Sequence, residues 1–327
     1  MIRLPSTLAG AALCPNCSAK VSSSSSSSSS SHIQQSNSFA NSYKSGPDEA
    51  MRRNYSHNSS FNVALFQSQL RTHSIGRYIT HRVEVDSTMI TSKRDAQEGA
   101  PHGSIVIADR QTQGRGRADR KWFSSNGNLA FTLLLRPLQF QLMFQMNLAM
   151  AIAVVEAAHK EGVTDAKIKW PNDVWVKGKK LMGYIVDSDT HEDKLFTLIG
   201  VGMNLNQDMS ASSDLPDEVK DNAVSLRTLL EKSVERESVL ANICNRFEDL
   251  LQRDMSDVLN VYASHSLIIG RTIIVKPKRR EDPEGYEAQA IGFTKEGMLQ
   301  IKVGEEVKIL SGEEVMVRLS EYENKLI

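Results

Sequence analysis

The 327-residue sequence predicts an α+β fold, a mixed β-sheet carrying helices and then a small β-barrel. Three observations predict it. Between about residues 60 and 266, apolar runs of strand length alternate with stretches whose apolar residues recur at helical spacing. After Gly270, five short β-rich runs separated by turns crowd into about 50 residues, the signature of a small barrel. Before residue 60 neither period is present. The expected layout is a disordered leader over 1–60, an α+β domain over 61–266 and a β-barrel over 267–327.

The leader holds an unbroken serine tract from Ser22 to Ser31, and Arg3, Lys20 and Lys44 all precede the first acidic residue, Asp48. Such a segment cannot bury enough apolar area to order itself. Serine-rich, cationic and acid-free composition suits an organellar transit peptide, with a plain disordered tail as the alternative. Cys14-Pro-Asn-Cys17 lies in the leader without the second pair that a zinc site needs, and Cys244 sits among apolar neighbours as a core residue.

Phe61 to Leu70 and Tyr78 begin the hydrophobic patterning. Asp86-Ser87-Thr88 offers N-cap groups to a helix ending near Gly99, with Pro101 beyond it. Ser104–Ala108 and Leu129–Leu135 read as buried strands, and Leu142–Lys160 as a long core helix closed by Gly162. Ala166–Val176 and Leu181–Asp187 read as two strands of a hairpin turning at Lys177-Gly178-Lys179-Lys180, followed by a strand over Phe196–Val201. Ser238–Tyr262 reads as one helix with Leu240, Ile243, Phe247 and Leu250 inward. The barrel strands are Thr272–Lys276, Tyr286–Phe293, Met298–Val303, Glu306–Leu310 and Glu314–Leu319.

Lys plus Arg and Asp plus Glu both total 39, so no global field argues for nucleic acid as a partner. The longest apolar runs fall short of the roughly 20 residues of a bilayer-spanning helix, so no membrane partner is expected.

Two segments break the surrounding regularity. Gly114-Arg-Gly-Arg-Ala-Asp-Arg-Lys-Trp122 sets Arg115, Arg117, Arg120 and Lys121 beside glycines that allow close backbone approach, so the loop can wrap an anion. It lacks the Walker A spacing. By itself it fits a solvated basic turn or an arginine-glycine nucleic-acid contact as well. Lys169-Trp-Pro-Asn-Asp173 interrupts an apolar strand with a proline and polar groups, which demands a bulge or an edge. A broken local rule in a consistent strand marks a functional position. Lys169, partly desolvated beside Trp170, could hold a reacting anion; the bland alternative is a snorkelling lysine in a turn.

Taken in order, Gly-Arg-Gly-Arg117, Arg120-Lys-Trp122, Lys169-Trp-Pro-Asn-Asp173, Lys180-Leu-Met-Gly183 and Gly200-Val-Gly-Met-Asn204-Leu-Asn206 resemble the motifs of the biotin protein ligase (holocarboxylase synthetase) family. The resemblance spans about residues 75 to 320, and the leader with Phe61-Asn-Val-Ala-Leu-Phe66 is similar to plant-type members. It implies a class II synthetase-like catalytic domain, an SH3-like terminal barrel, and an ATP-dependent ligase. Such an enzyme makes biotinyl-5′-AMP and passes biotin to a lysine of the carboxyl carrier domain of acetyl-CoA carboxylase and other biotin-dependent carboxylases. ATP and biotin are then substrates, with Mg2+ arriving on the triphosphate and no ligands assigned to it.

The resemblance also distributes roles. Lys169, Arg117 and Asp173 would be catalytic, Asp173 as the base for the acceptor lysine. Biotin would meet Ser87, Thr88, Gln111, Gly114, Arg115, Gly116, Lys169 and Gly183. The nucleotide would meet Arg117, Arg120, Trp122, Asn172, Asp173 and Asn204. Met89 departs from the family's usual asparagine after Ser-Thr. Gly114 and Gly116 would let the loop act as a lid over the adenylate. The implied location is the chloroplast, with the mitochondrion, or the cytosol from a start at Met51, as alternatives. Three rival readings fit less well. A lipoate ligase lacks its Arg-Arg-x-Ser-Gly-Gly-Gly loop here, a DNA-binding repressor lacks helix-turn-helix patterning in residues 1–60, and a non-catalytic carrier-binding module would not need Lys169 and the loop arginines.

Overall fold

The computed structural model describes residues 60–117, 120–136, 141–209, 215–277, 285–312 and 315–319. The expected leader therefore lies outside the described residues apart from Ser60.

The chain enters through α1 (Val63–Gln69), whose N-cap Asn62 accepts a hydrogen bond from the Leu65 amide at 3.0 Å. β1 (Ile79–Val85) runs parallel to β2 (Ile105–Gln111), with α2 (Thr88–Gln97) crossing between them. β3 (Leu129–Leu135) then pairs antiparallel with β2. After α3 (Gln141–Lys160) come β4 (Lys167–Lys169), β5 (Asp173–Val176), β6 (Lys179–His191) and β7 (Lys194–Met203). The seven strands form one sheet in the order β1-β2-β3-β7-β6-β5-β4. Two hairpin turns, Lys177-Gly178 and Glu192-Asp193, have positive φ at both residues, the geometry that matches strand twist in a two-residue connection.

Every residue of β3 is buried because the sheet is covered on both faces. Leu129, Phe131, Leu133 and Leu135 join the main core with α3, while Leu134 packs with Ala96, Phe196 and Leu198 beneath α2. α3 has the length and composition of a membrane-crossing helix, yet it is mostly buried, with Ala149–Val155 at 0–1 % exposure. It is the central core helix. α4 (Asp217–Asn222) and α5 (Leu226–Leu230) follow the sheet, and α6 (Arg236–Leu251) and α7 (Met255–Ser264) pack on α3. Cys244 is buried in α6 and burial pushes its thiol far up, as fits a core residue.

Two sequence expectations need correction. The stretch Ala166–Val176 is not one strand: β4 and β5 are antiparallel partners, and the chain reverses through Trp170-Pro171-Asn172. Proline has no amide to give a ladder, so the apolar run folds back on itself there. Ser238–Tyr262 is likewise two helices, broken at residues 252–254. The buried Gln145 side chain donates to the carbonyls of Leu250 and Arg253, both at 2.8 Å, and so satisfies the freed end of α6.

β8 (Thr272–Pro277), β9 (Tyr286–Phe293), β10 (Leu299–Val303), β11 (Glu306–Leu310) and β12 (Val315–Leu319) form an antiparallel sheet ordered β11-β10-β9-β8-β12. Its inner face shares the main core: Ile273, Val275, Leu299 and Ile301 are 0 % exposed, and Tyr262 of α7 meets Phe293 edge-on at 5.1 Å.

Candidate active site

Strand alternation aims one set of side chains away from α3. On β7, Ile199, Val201 and Met203 enter the main core, so Gly200 and Gly202 lie on the opposite face. On β6, Met182 and Tyr184 enter the core, leaving Gly183 and Ile185 outward. On β5 and β4 the same rule turns Asp173, Trp175 and Lys169 outward while Val174 and Ile168 are buried. These outward residues line an open cleft of about 920 Å³. Glycines on its floor make room for two side chains: a Cβ at Gly200 would stand 2.6 Å from the Met89 sulfur, and one at Gly202 would strike the Trp122 indole.

Lys169 is half-buried, with its Nζ 3.4 Å from the centroid of the Trp175 ring. Burial lowers its pKa to about 8, helped by Arg318, Lys180 and Arg120 and opposed by Asp173. Asp173 is ion-paired to Lys180 at 2.8 Å. Gly183 sits beneath that pair, where a Cβ would approach Lys180 Nζ to 2.7 Å.

The glycine-arginine segment is a narrow finger. Trp122 N donates to Gly114 O at 2.9 Å, Gly116 N to Arg120 O at 2.6 Å, and Arg115 bridges Lys121. Arg117 donates to Asn172 Oδ1 at 2.7 Å and also to Gly312 O. Asn172 in turn donates to Tyr184 O. The described parts of the finger are thus braced against both sheets; residues 118 and 119 lie outside the described residues. Gly114 itself is not on the cleft wall. It packs against the Trp122 carbonyl and stands 3.2 Å, as a Cβ, from Gln111 Nε2.

A polar cluster completes the wall. Gln111 Oε1 accepts from Thr88 N at 2.9 Å and Thr88 Oγ1 at 3.1 Å, and Thr132 donates to Thr88 Oγ1 at 2.8 Å. With its oxygen so occupied, the Gln111 amide NH2 is turned to other acceptors. Ser87 precedes α2 and is buried at 2 % exposure without a side-chain cap bond. Asn204, 4 % exposed, is fixed by its own backbone bonds to Leu181 and Leu226.

All the expected site residues but Gly114 therefore line one cleft. Sequence reasoning missed Trp175, Lys180 and Tyr184 as wall residues, and Gly200 and Gly202 as floor. The alternating glycines of β7 were the available signal, since glycine inside a strand marks close approach. Arg318 and the segment Pro216–Ala223, which also line the cleft, carry no local signal. Among the described residues no group of three or more His, Cys, Asp or Glu side chains could hold a metal ion.

Residues 80–204 match the model described as the Biotin/lipoate A/B protein ligase family. Over 246 residues the chain is 32 % identical to the bifunctional ligase/repressor BirA of Bacillus spizizenii, covering 73 % of this chain and 74 % of that protein. The chain belongs to the biotin/lipoate A/B protein ligase family. Another relative within the family, biotin–protein ligase 2 of Arabidopsis thaliana, is 28 % identical over 254 residues, 74 % of each chain. Identity by itself thus does not set plant-type members apart from bacterial ones. The biotin protein ligase from Aquifex aeolicus in complex with biotin and ATP superimposes with a TM-score of 0.63 at 29 % identity, covering 75 % of this chain and all of that one. This places the seven-stranded sheet and its cleft in the ligase fold.

Proposed function

We propose that the chain is an ATP-dependent biotin–protein ligase, and that Lys169, Arg117 and Asp173 carry its chemistry. The observation that carries this reading is the convergence of a desolvated lysine, an arginine finger and a Thr88–Gln111–Thr132 polar cluster in one cleft of a chain similar to biotin ligases.

In the first step a carboxylate oxygen of biotin attacks the α-phosphorus of ATP and the bond to pyrophosphate breaks, giving biotinyl-5′-AMP. Two anions must approach, so cations fixed before the reaction lower the barrier without reorganising. Lys169, with a pKa of about 8, is still about nine-tenths protonated at pH 7. Arg117, held by Asn172 and Gly312, brings a fixed guanidinium charge to the phosphate side of the cleft. Ser87, Thr88, Gln111, Arg115, Gly116 and Gly183 form the biotin side, with Gly114 behind the wall against Gln111; Gln111 and Thr88 suit the ureido head, and Met89 and Trp122 over the glycine floor suit its apolar rings. Arg120, Trp122, Asn172 and Asn204 serve the nucleotide.

In the second step a carrier-domain lysine loses a proton to Asp173 and attacks the acyl carbon, and the carbonyl–phosphate bond to AMP breaks. The acceptors are the carboxyl carrier domains of acetyl-CoA carboxylase and other biotin-dependent carboxylases. Mg2+ enters as part of the ATP substrate. Among the described residues the cleft's carboxylates, Asp173 and Glu218, do not make a dedicated metal site, since Asp173 is already paired with Lys180. The leader over residues 1–60 directs the protein to the plastid; import of a tagged full-length chain against one starting at Met51 tests that.

The activity is tested by biotin-dependent exchange of pyrophosphate into ATP and by mass increase of a purified carrier domain, each repeated with lipoate. Exchange with biotin and not lipoate is expected. Exchange with lipoate alone, or with neither acid, would sink the reading.

A further inference from the structure

The chain has three tryptophans, Trp122, Trp170 and Trp175, and all line the cleft. Trp122 lies on Gly202, Trp170 donates to Gly297 O at 3.1 Å, and Trp175 packs against the edge of the main core. Trp175 is different. Its indole N–H is shielded from solvent yet has no hydrogen-bond partner among the described residues, and its ring carries the Lys169 ammonium 3.4 Å from the centroid. An aromatic face attracts an ammonium through the ring quadrupole, most strongly where water is excluded. The β4–β5 ladder imposes this meeting. Lys169 pairs with Asp173 and Lys167 with Trp175, so Lys169 and Trp175 are diagonal neighbours, within reach of long and aromatic side chains.

On the reading of the cleft as the adenylate-forming site, we infer that Trp175 is a positioning residue for Lys169, its ring holding the ammonium charged and in place until a substrate anion takes it over. The other charged groups facing that ammonium are Asp173 from β5, Lys180 from β6, Arg120 from the finger and Arg318 from β12. Three of them are cations, and the carboxylate is already engaged by Lys180. Burial pushes Lys169 toward the neutral amine or away from the sheet; Asp173 opposes this, and the three cations add to it. The Trp175 face is the neighbour that opposes this without an anion of its own. It stabilises the ammonium yet yields easily, because a carboxylate or phosphate binds an ammonium more strongly than a ring does.

The test uses the full-length chain and two kinds of variant. Trp175→Phe keeps an aromatic face; Trp175→Leu removes it, and Trp175→Met serves the same comparison if the leucine variant does not fold. Acylation of Lys169 at a series of pH values without substrates, read by peptide mass spectrometry, follows its titration directly. The half-point is expected to fall by about one unit in Trp175→Leu and to stay within about 0.3 unit in Trp175→Phe. Biotin-dependent pyrophosphate exchange should fall about tenfold in kcat for Trp175→Leu and recover in Trp175→Phe, with KM for biotin moving less than about threefold. An unchanged or raised half-point in a folded leucine or methionine variant overturns the inference, as does a phenylalanine variant as impaired as leucine. The titration needs no substrate, so a wild-type chain that fails to exchange pyrophosphate counts against the ligase reading alone.

Discussion

Lys180 and Asp173 meet across the β5–β6 hairpin, Nζ 2.8 Å from Oδ1, in space that exists because residue 183 is glycine. A base for the transfer step therefore begins with a cation on it. The incoming acceptor lysine is also an ammonium, so the step exchanges one cationic partner of Asp173 for another and costs little electrostatically. Asp173→Asn should leave adenylate formation within about threefold and slow transfer by about a hundredfold, the usual scale for loss of a general base. A single-turnover chase of preformed biotinyl-5′-AMP onto a carrier domain measures it, and equal slowing of both steps would count against the assignment.

Lys169→Ala should slow pyrophosphate release by about a thousandfold, the scale of removing one preorganised donor from developing charge. The pH dependence follows from the same residue. Burial, with Arg318, Lys180 and Arg120, brings its pKa to about 8. The ammonium is the active form, present below that value and lost as pH rises through it. Above pH 8, kcat/KM for ATP should fall about tenfold per unit, and a profile flat to pH 9.5 would contradict it.

Gly202→Ala drives a methyl group into the Trp122 indole while leaving the backbone of β7 unstrained. Trp122 must lift from the floor, and the finger that closes on Gly114 O must shift with it. The expected outcome is a rise of about tenfold in KM for biotin with a melting temperature little changed. Because every tryptophan lines the cleft, the intrinsic fluorescence of the variant should differ from wild type before substrate is added.

Glu248 ties the entry segment to α6: its carboxylate accepts from the amides of His73 at 2.5 Å, Ser74 at 2.8 Å and Ile75 at 3.0 Å, and from Ser74 Oγ at 3.0 Å. Burial raises its pKa, but these donors outweigh burial and hold it below its ordinary value. A carboxylate depressed in the folded state contributes stability above its unfolded pKa, and that contribution fades as pH falls through the folded value. Glu248→Ala should cost about 2–3 kcal/mol at pH 7, with three amides left unpaired, and the difference from wild type should shrink near pH 3. Thermal melts of both proteins at the two pH values check it.

The β3 strand and the α3 helix were legible because their apolar periods satisfy local and tertiary demands together. The reversal at Trp170-Pro171-Asn172 was only half legible. Proline announced that the strand must break, but whether the chain bulged or turned back depended on β6 standing ready to pair with β5. The break between α6 and α7 was hidden for a similar reason: residues 252–254 have no helix-breaking composition, and Gln145 from α3 supplies the bonds that end the helix.

For the site, the sequence alone determined two segments that break local rules: the glycine-arginine finger and the Lys169–Asp173 turn. Each is a short-range conflict between side-chain chemistry and strand or loop preference, and such conflicts are written in neighbouring residues. Only the tertiary structure decided what those residues face. The Lys180–Asp173 pair, the Trp175 ring under Lys169 and the approach of Arg318 from the second sheet join positions that strand order and register bring together. Burial and neighbouring charge then set the titration of Lys169, and both are properties of the assembled cleft.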